Sequence, residues 1–264
     1  MITREPIQIP RIAPPAKRRF RRDYILPNKP VVLEGLVDEW PGKARWTPEY
    51  YGTAYGDVPV TVARTQKSGA LVLDLNDGLN YREIPLRDFV AGMQTVASDG
   101  DYVIAEIERF PDQFRNELVV PEYCRGAPWL RSKLWFGSKG TVTQMHRGAP
   151  ENLYSVVTGC KRFVMYPPAD TAAMYPYSVF SKLPNFSPVD VEQPDYDRFP
   201  RLRDAQPWVV DLRDGDTLFI PRFWWHQVRT VESTIAVNFW WARGYTMLIS
   251  AAAHAYKKLR GLST

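Results

Sequence analysis

The sequence predicts a mainly β fold, and three features carry that expectation. Short apolar runs rich in β-branched and aromatic residues recur between clusters of turn-forming residues. Aromatic side chains make up 13% of the chain, and large rings of this kind favour strands. The helical patterns are short and flank these runs. Many short strands with peripheral helices fit a double-stranded β-helix, also called a jelly roll. At 264 residues the chain can bury one substantial core, and a second independent domain is not expected.

In chain order, residues 1–30 carry Pro6, Pro10, Pro14, Pro15, Pro27 and Pro30 and read as an extended basic arm without a regular helix. Residues 31–264 then form the domain. PVVLEG reads as a short strand. Thr47 before Pro48 reads as an N-cap with proline at the first helical position, so TPEYYGTAYG starts a short helix. VPVTVAR and ALVLDL follow as strands. PLRDFVAGMQTVA places Leu86, Phe89, Val90 and Met93 at helical spacing. YVIAEI is a strand that carries Tyr102, and PDQFRNELVVPEYCRGAPWL is a short helix followed by a loop.

The segment GTVTQMH and the run LYSVVTG, continuing into KRFVMY, are two strands joined by the turn RGAPEN. Plain alternation puts Thr143 on the face opposite His146 and lets His146 and position 148 share one. The proline-punctuated stretch 169–207 either supplies binding loops or wraps the barrel. WVVDLRDGDTLFIP is a strand, a turn and a strand, with Asp214 and Asp216 structural in the turn. IAVNFWW shows Asn238 and Trp240 on one face and Phe239 and Trp241 on the other. YTMLISAAAHAYKKLRGL closes the chain as an amphipathic helix with basic residues near its end, and His254 on it is not expected to be a ligand.

The net charge of +5 and pI near 9.1 are mildly basic. Lys17, Arg18, Arg19, Arg21 and Arg22 surround Phe20. With no nucleic-acid-binding motif beside it, this cluster reads as a solvated arm rather than a nucleic-acid contact. Cys124 and Cys160 offer neither a disulfide framework nor zinc spacing, which points to a reducing, cytoplasmic setting. No run is long and apolar enough for a membrane span, and no secretory signal stands at the amino terminus.

The chain contains three histidines, and two of them, His146 and His226, end aromatic-rich strands. A lone histidine is more often a packed residue than a ligand. A histidine leaving a strand, with Lys161 fifteen residues on, nevertheless suggests a metal ligand beside a carboxylate binder.

The segments WFGSKGTVTQMHRGAPENLYSVVTGCKRFVMYPP and LRDGDTLFIPRFWWHQVRTVESTIAVNFWW closely resemble the JmjC/cupin-like subgroup of iron(II)- and 2-oxoglutarate-dependent oxygenases. KPVVLEGLVDEWPGKARWTPEYYG resembles its opening segment, so the likeness covers residues 28–245. The resemblance implies His146 and His226 as iron ligands and Lys161 as partner of the distal carboxylate of 2-oxoglutarate. It implies Thr143 and Tyr102 as hydrogen-bond donors to that carboxylate, and Asn238 and Asn152 as pocket residues. Glu151 and Trp240 are further candidates for contact with substrate. In related enzymes the carboxy-terminal helices pair subunits, which implies a homodimer.

One position departs from the family pattern. Where His-x-Asp supplies the carboxylate of the facial triad, this chain has His146, Arg147 and Gly148. Glycine leaves a coordination position open, as in iron-dependent aliphatic halogenases, where chloride fills it. The expectation is therefore oxidation of an unactivated C–H bond in an amino acid, peptide or other small substrate by iron(II), 2-oxoglutarate and O2, with Gly148 favouring halogenation over hydroxylation. The alternatives are a hydroxylase in which Gly148 is engineered or compensated, with Glu151 as a substitute carboxylate, and a noncatalytic ligand-binding barrel. A basic-arm adaptor for nucleic acid ranks last.

Overall fold

The computed structural model of the chain describes residues 4–66, 70, 71, 73, 74, 78, 79, 81–95 and 102–259. Its spine is a pair of long antiparallel strands, Glu151–Tyr166 and Trp225–Ala242. Glu151–Tyr166 pairs on its far edge with Thr217–Ile220 in its first half and Trp208–Leu212 in its second. Trp225–Ala242 pairs with Val142–His146 in its first half and Trp129–Gly137 in its second. Each long strand thus pairs with two shorter strands in succession and turns a corner between them within one branched twelve-stranded sheet, the arrangement of a double-stranded β-helix.

The corner lies where the register of the two long strands shifts, between Val156 and Lys161. Such extra residues bend a strand and raise its twist. Gly159 sits there at φ +88°, and a Cβ on it would stand 2.1 Å from the carbonyl oxygen of Ser233, so only glycine fits. The same sheet continues from Trp129–Gly137 through Tyr102–Glu106 and Pro59–Ala63 to Tyr81–Pro85.

Alternation divides the core. Phe163, Met165, Val210, Leu212, Val228 and Ala236 pack inside the barrel. Phe239 and Trp241 face the other way, into a larger core with Trp46, Tyr51, Phe89 and Phe136, as the pattern of IAVNFWW predicts. Thr47 caps the helix Pro48–Ala54, its hydroxyl accepting from the Tyr50 amide at 3.2 Å. Leu86, Phe89 and Val90 are buried on the helix Leu86–Thr95, while the side chain of Met93 lies outside the described residues. Of ALVLDL, Leu73–Asp74 forms a short strand, and residues 72 and 75 lie outside the described ones. Asp214 accepts from the Gly159 amide and Asp216 from the Arg213 amide, so both brace the turn, as expected.

The amino-terminal arm is not extended throughout, in contrast to the expectation from its prolines. Its first part is extended, and it is woven into the sheet: Ile7–Gln8 pairs in parallel with Trp208–Leu212, and Arg11–Ile12 with Val31–Leu33. Its second part coils into a helix, Lys17–Phe20, widening into a π-turn, Arg21–Ile25. The prolines leave residues 16–26 free of ring constraints, and coiling delivers Phe20 into the core against Tyr123 and Phe219, at ring distances of 4.2 and 5.0 Å. Full burial of such a ring stabilises by roughly 2–3 kcal/mol.

The stretch 169–207 wraps the barrel. Its Met174, Val189, Val191, Phe199 and Leu202 pack on Met145, Val164, Tyr166 and Trp225. Cys124 and Cys160 are free and buried. Among the described residues no helix is long and apolar enough to cross a membrane. The last helix, Tyr245–Leu259, forms as expected, with the side chain of His254 outside the described residues.

Candidate metal and carboxylate site

The site begins with a bulge. Thr143 pairs with Val228 and His146 with His226, so three steps on one strand answer two on the other. Side chains alternate with period two, and the extra residue therefore brings Thr143 and His146 to the same face. Plain alternation had set them on opposite faces; nothing in TVTQMH announces the bulge. The strand ends at His146, and position 148 lies beyond it, its carbonyl accepting from the Phe223 amide at 2.7 Å.

His146 and His226 stand with ring centroids 4.1 Å apart. Nδ1 of His146 lies 2.8 Å from the Gln144 carbonyl oxygen, and Nδ1 of His226 lies 3.0 Å from that of Trp224. A carbonyl only accepts, so both Nδ1 atoms carry the proton and the lone pair of each neutral ring lies on Nε2. Burial, reinforced by the neighbouring His146, holds the His226 pKa well below its usual value and keeps that ring neutral. Phe186, from the wrapping stretch, stacks on His146 at 5.1 Å and 20°.

Around Lys161 the barrel forms a polar cradle. Lys161 is 1% exposed, and its ammonium donates to Thr230 Oγ1 at 3.1 Å and Tyr102 Oη at 3.3 Å. No carboxylate among the described residues pairs with it, and burial pulls its pKa down to about 7. Burial likewise pushes the Tyr102 hydroxyl up to about 12, with Tyr154 and Thr143 beside it, so it stays a neutral donor. The buried hydroxyls of Tyr154 and Thr234 have no hydrogen-bond partner among the described residues. Gly137 keeps the space open: a Cβ there would meet Thr230 Oγ1 at 2.8 Å and Lys161 Nζ at 3.0 Å.

Asn238 and Asn152 line the same face. Asn238 Nδ2 donates to Asn152 Oδ1 at 3.1 Å, and its Oδ1 accepts from Trp135 Nε1 at 2.6 Å. Trp240 pairs with Asn152 across the strands and meets Trp135 edge-on at 5.9 Å. Glu151 is not brought in. It pairs with Trp241, so register turns it to the opposite face from Asn152, and its Oε2 accepts from the Arg222 amide at 3.0 Å. Burial raises its pKa to about 7. As a substitute ligand it faces the wrong way, because one step along a strand reverses the side chain.

Thr230, Tyr154, Gly137 and Phe186 were not singled out from the sequence. Period-two counting from His226 reaches Thr230, and from Asn152 reaches Tyr154. Phe186 has no such signal, since its stretch lacks regular structure.

The residues fit the groups that the resemblance implies. A buried ammonium without a counter-ion and two unpartnered hydroxyls suit a carboxylate, because an unpaired buried charge is costly. Two imidazoles protonated on Nδ1, whose remaining lone pair lies on Nε2, suit two positions on iron. Among the described residues no group of three or more His, Cys, Asp or Glu side chains is placed to hold a metal. A Cβ on Gly148 would touch only Pro150 Cδ, at an ordinary 3.6 Å, so that corner has room.

The model of the cupin-like domain matches residues 17–247. Lysine-specific demethylase 8 of Xenopus tropicalis is 32% identical over 242 residues, 89% of this chain and 53% of that protein. The bifunctional peptidase and (3S)-lysyl hydroxylase of Homo sapiens is 27% identical over 283 residues, 93% of this chain and 87% of that one. tRNA wybutosine-synthesizing protein 5 of Gallus gallus is 28% identical over 254 residues, 89% of this chain and 77% of that one. The chain spans about half the length of the demethylase relatives it matches, 53% and 58% of two of them. Matched by that domain over most of its length, on a barrel with paired histidines and a buried lysine, the chain belongs to the cupin-like family.

Proposed function

We propose that the chain is an iron(II)- and 2-oxoglutarate-dependent oxygenase that hydroxylates an unactivated C–H bond. The observation that carries this reading is the Nε2 pair of His146 and His226 on the barrel face that also holds the counter-ion-free Lys161. The similarity to proteins named as a lysyl hydroxylase and as lysine demethylases supports it. Bound there, iron(II) with 2-oxoglutarate and O2 supplies the oxidant. The chain's own residues do the rest. His146 and His226 hold the metal with their tautomers set by backbone carbonyls. Lys161, Thr230 and Tyr102 orient the distal carboxylate, with Thr143 at its edge. Asn238, locked between Asn152 and Trp135, shapes the pocket wall.

Gly148 supports a second reading of the same site. The open corner takes a small exogenous ligand, and a halide there makes radical halogenation the competing outcome. This reading ranks below hydroxylation because the named relatives are a hydroxylase and demethylases.

The test is anaerobic titration of the protein with iron(II) and 2-oxoglutarate, with and without chloride, followed through the visible charge-transfer absorption. Oxygen is then admitted and succinate and product mass are measured. A band and succinate support the oxygenase. A mass gain of chlorine selects the halide reading, and absence of any band leaves a noncatalytic barrel.

A further inference from the structure

The two histidines of the site are held unequally. His226 is 7% exposed and lies between Met165 on one neighbouring strand and His146 on the other. His146 is half-buried and ends its strand, and its outer edge is met by the wrapping stretch. There His146 forms an antiparallel bridge with Phe186. The Arg147 amide donates to the Asn185 carbonyl and the Ser187 amide to that of Met145, both at 2.9 Å. Residues 185–187 are thus laid along the sheet edge beside the histidine.

The sequence accounts for this tie. Leu183-Pro184-Asn185-Phe186 closes as a turn, the Phe186 amide donating to the Leu183 carbonyl at 3.0 Å, with proline at the position whose φ such a turn requires. The Phe186 carbonyl accepts from the Tyr177 amide at 2.9 Å, which shuts the neck of the loop between them. Ser187 Oγ donates to the Met174 carbonyl and accepts from the Val189 amide at 3.0 Å. The backbone on both sides of Phe186 is therefore fixed without help from its ring. Met174 and Val189 of the same stretch pack into the outer core with Met145 and Trp225. Phe186 does not. Its ring is 7% exposed, yet it belongs to none of the apolar clusters of the described residues, and its stacking partner is His146, at 5.1 Å and 20°.

We propose that Phe186 is a positioning residue for His146: its ring keeps the imidazole in one orientation, ready for a metal ion. The inference rests on His146 as a metal ligand and adds a residue to that reading. The Gln144 carbonyl tethers one atom of the imidazole from its own strand. A single tether leaves the ring able to rock. A flat ring stacked on the imidazole removes that freedom before metal arrives, whereas His226 is already held by the strands on either side. Immobilising a side chain on binding costs a factor of roughly 2 to 13 in affinity, and a ring held in advance is spared it.

The test is calorimetric titration of the metal-free protein with manganese(II), without 2-oxoglutarate or O2. Phe186→Ala binds about tenfold more weakly than the parent, and Phe186→Leu, which keeps apolar bulk without a flat ring, falls with it. Phe186→Tyr restores binding to within about twofold of the parent, because the stacked ring is kept. Phe180→Ser, at the exposed tip of the same loop, leaves affinity unchanged. With cobalt(II) at saturation, the visible ligand-field bands shift in the alanine and leucine variants and stay in place in the tyrosine variant. In the metal-free protein, proton NMR shows the His146 ring losing the ring-current shift that Phe186 imposes. Thermal unfolding shows that each variant remains folded, and Phe186→Leu carries the comparison if Phe186→Ala does not fold. Parent-like affinity in either of these two variants, or an equal loss in Phe180→Ser, overturns the proposal while a metal-binding parent keeps the oxygenase reading. A parent that binds no metal removes both.

Discussion

His146 and His226 face each other across paired antiparallel strands, and each is tied through Nδ1 to the carbonyl two residues before it. The repeated arrangement fixes both tautomers with backbone atoms, which side-chain substitution elsewhere does not remove. Replacing either histidine by alanine is expected to lower affinity for a divalent metal by at least about 100-fold, since loss of a supporting partner alone typically costs 10 to 100-fold. Calorimetric titration with manganese(II) measures it. Unchanged affinity in both variants sinks the assignment of the pair.

Gly148→Asp tests the open corner. The glycine has an unstrained φ, and its Cβ would meet only Pro150 Cδ at 3.6 Å, so the variant is expected to fold with an unfolding temperature near that of the parent. Metal affinity rises, and any dependence of the charge-transfer band on chloride disappears. A chloride response that persists in the variant would place the halide elsewhere.

Lys161 makes stability and ligand binding depend on pH in opposite ways. Its folded pKa is about 7 against 10.5 for the free side chain, because burial penalises the ammonium. Between those values the unfolded chain holds the extra proton, so stability rises with pH; the full penalty applies below about pH 7. Lys161→Met is therefore expected to raise the unfolding temperature more at pH 6 than at pH 10, while abolishing 2-oxoglutarate binding. In the parent, affinity for the carboxylate weakens as pH rises above neutrality, and proton uptake on binding is read by calorimetry in two buffers. Uptake of no proton at pH 8 contradicts the account.

Glu117 anchors the larger core rather than the site. Its carboxylate accepts from Trp46 Nε1 at 2.7 Å, Tyr50 Oη at 2.5 Å and Tyr55 Oη at 2.6 Å. Burial opposes its ionisation, yet these donors and nearby Arg45 hold its pKa below the usual value. The stabilisation is thus present above the ordinary carboxylate pKa and is lost as pH falls through the lowered one. Glu117→Ala leaves three donors without an acceptor and is expected to cost about 3 kcal/mol, measured by urea unfolding at neutral pH. The loss should shrink in acid.

Much of the barrel was legible in the order of residues. Apolar runs and turn residues identified strands in LYSVVTG, KRFVMY and IAVNFWW and the turn around Asp214, and alternation identified the two faces of IAVNFWW, because burial on one face of a sheet imposes it directly. Residue type and spacing also singled out His146, His226 and Lys161, and showed the glycine at position 148.

Other features arose only on folding. The bulge that turns Thr143 to the face of His146, the register that turns Glu151 away, and the stacking of Phe186 on His146 depend on pairing between segments far apart in the chain. So does the coil that buries Phe20 against Tyr123 and Phe219. Local propensity records what a residue prefers among its neighbours. Which distant strand it meets, and with what offset, is decided by close packing of the whole barrel, where an offset of one residue reverses every side chain.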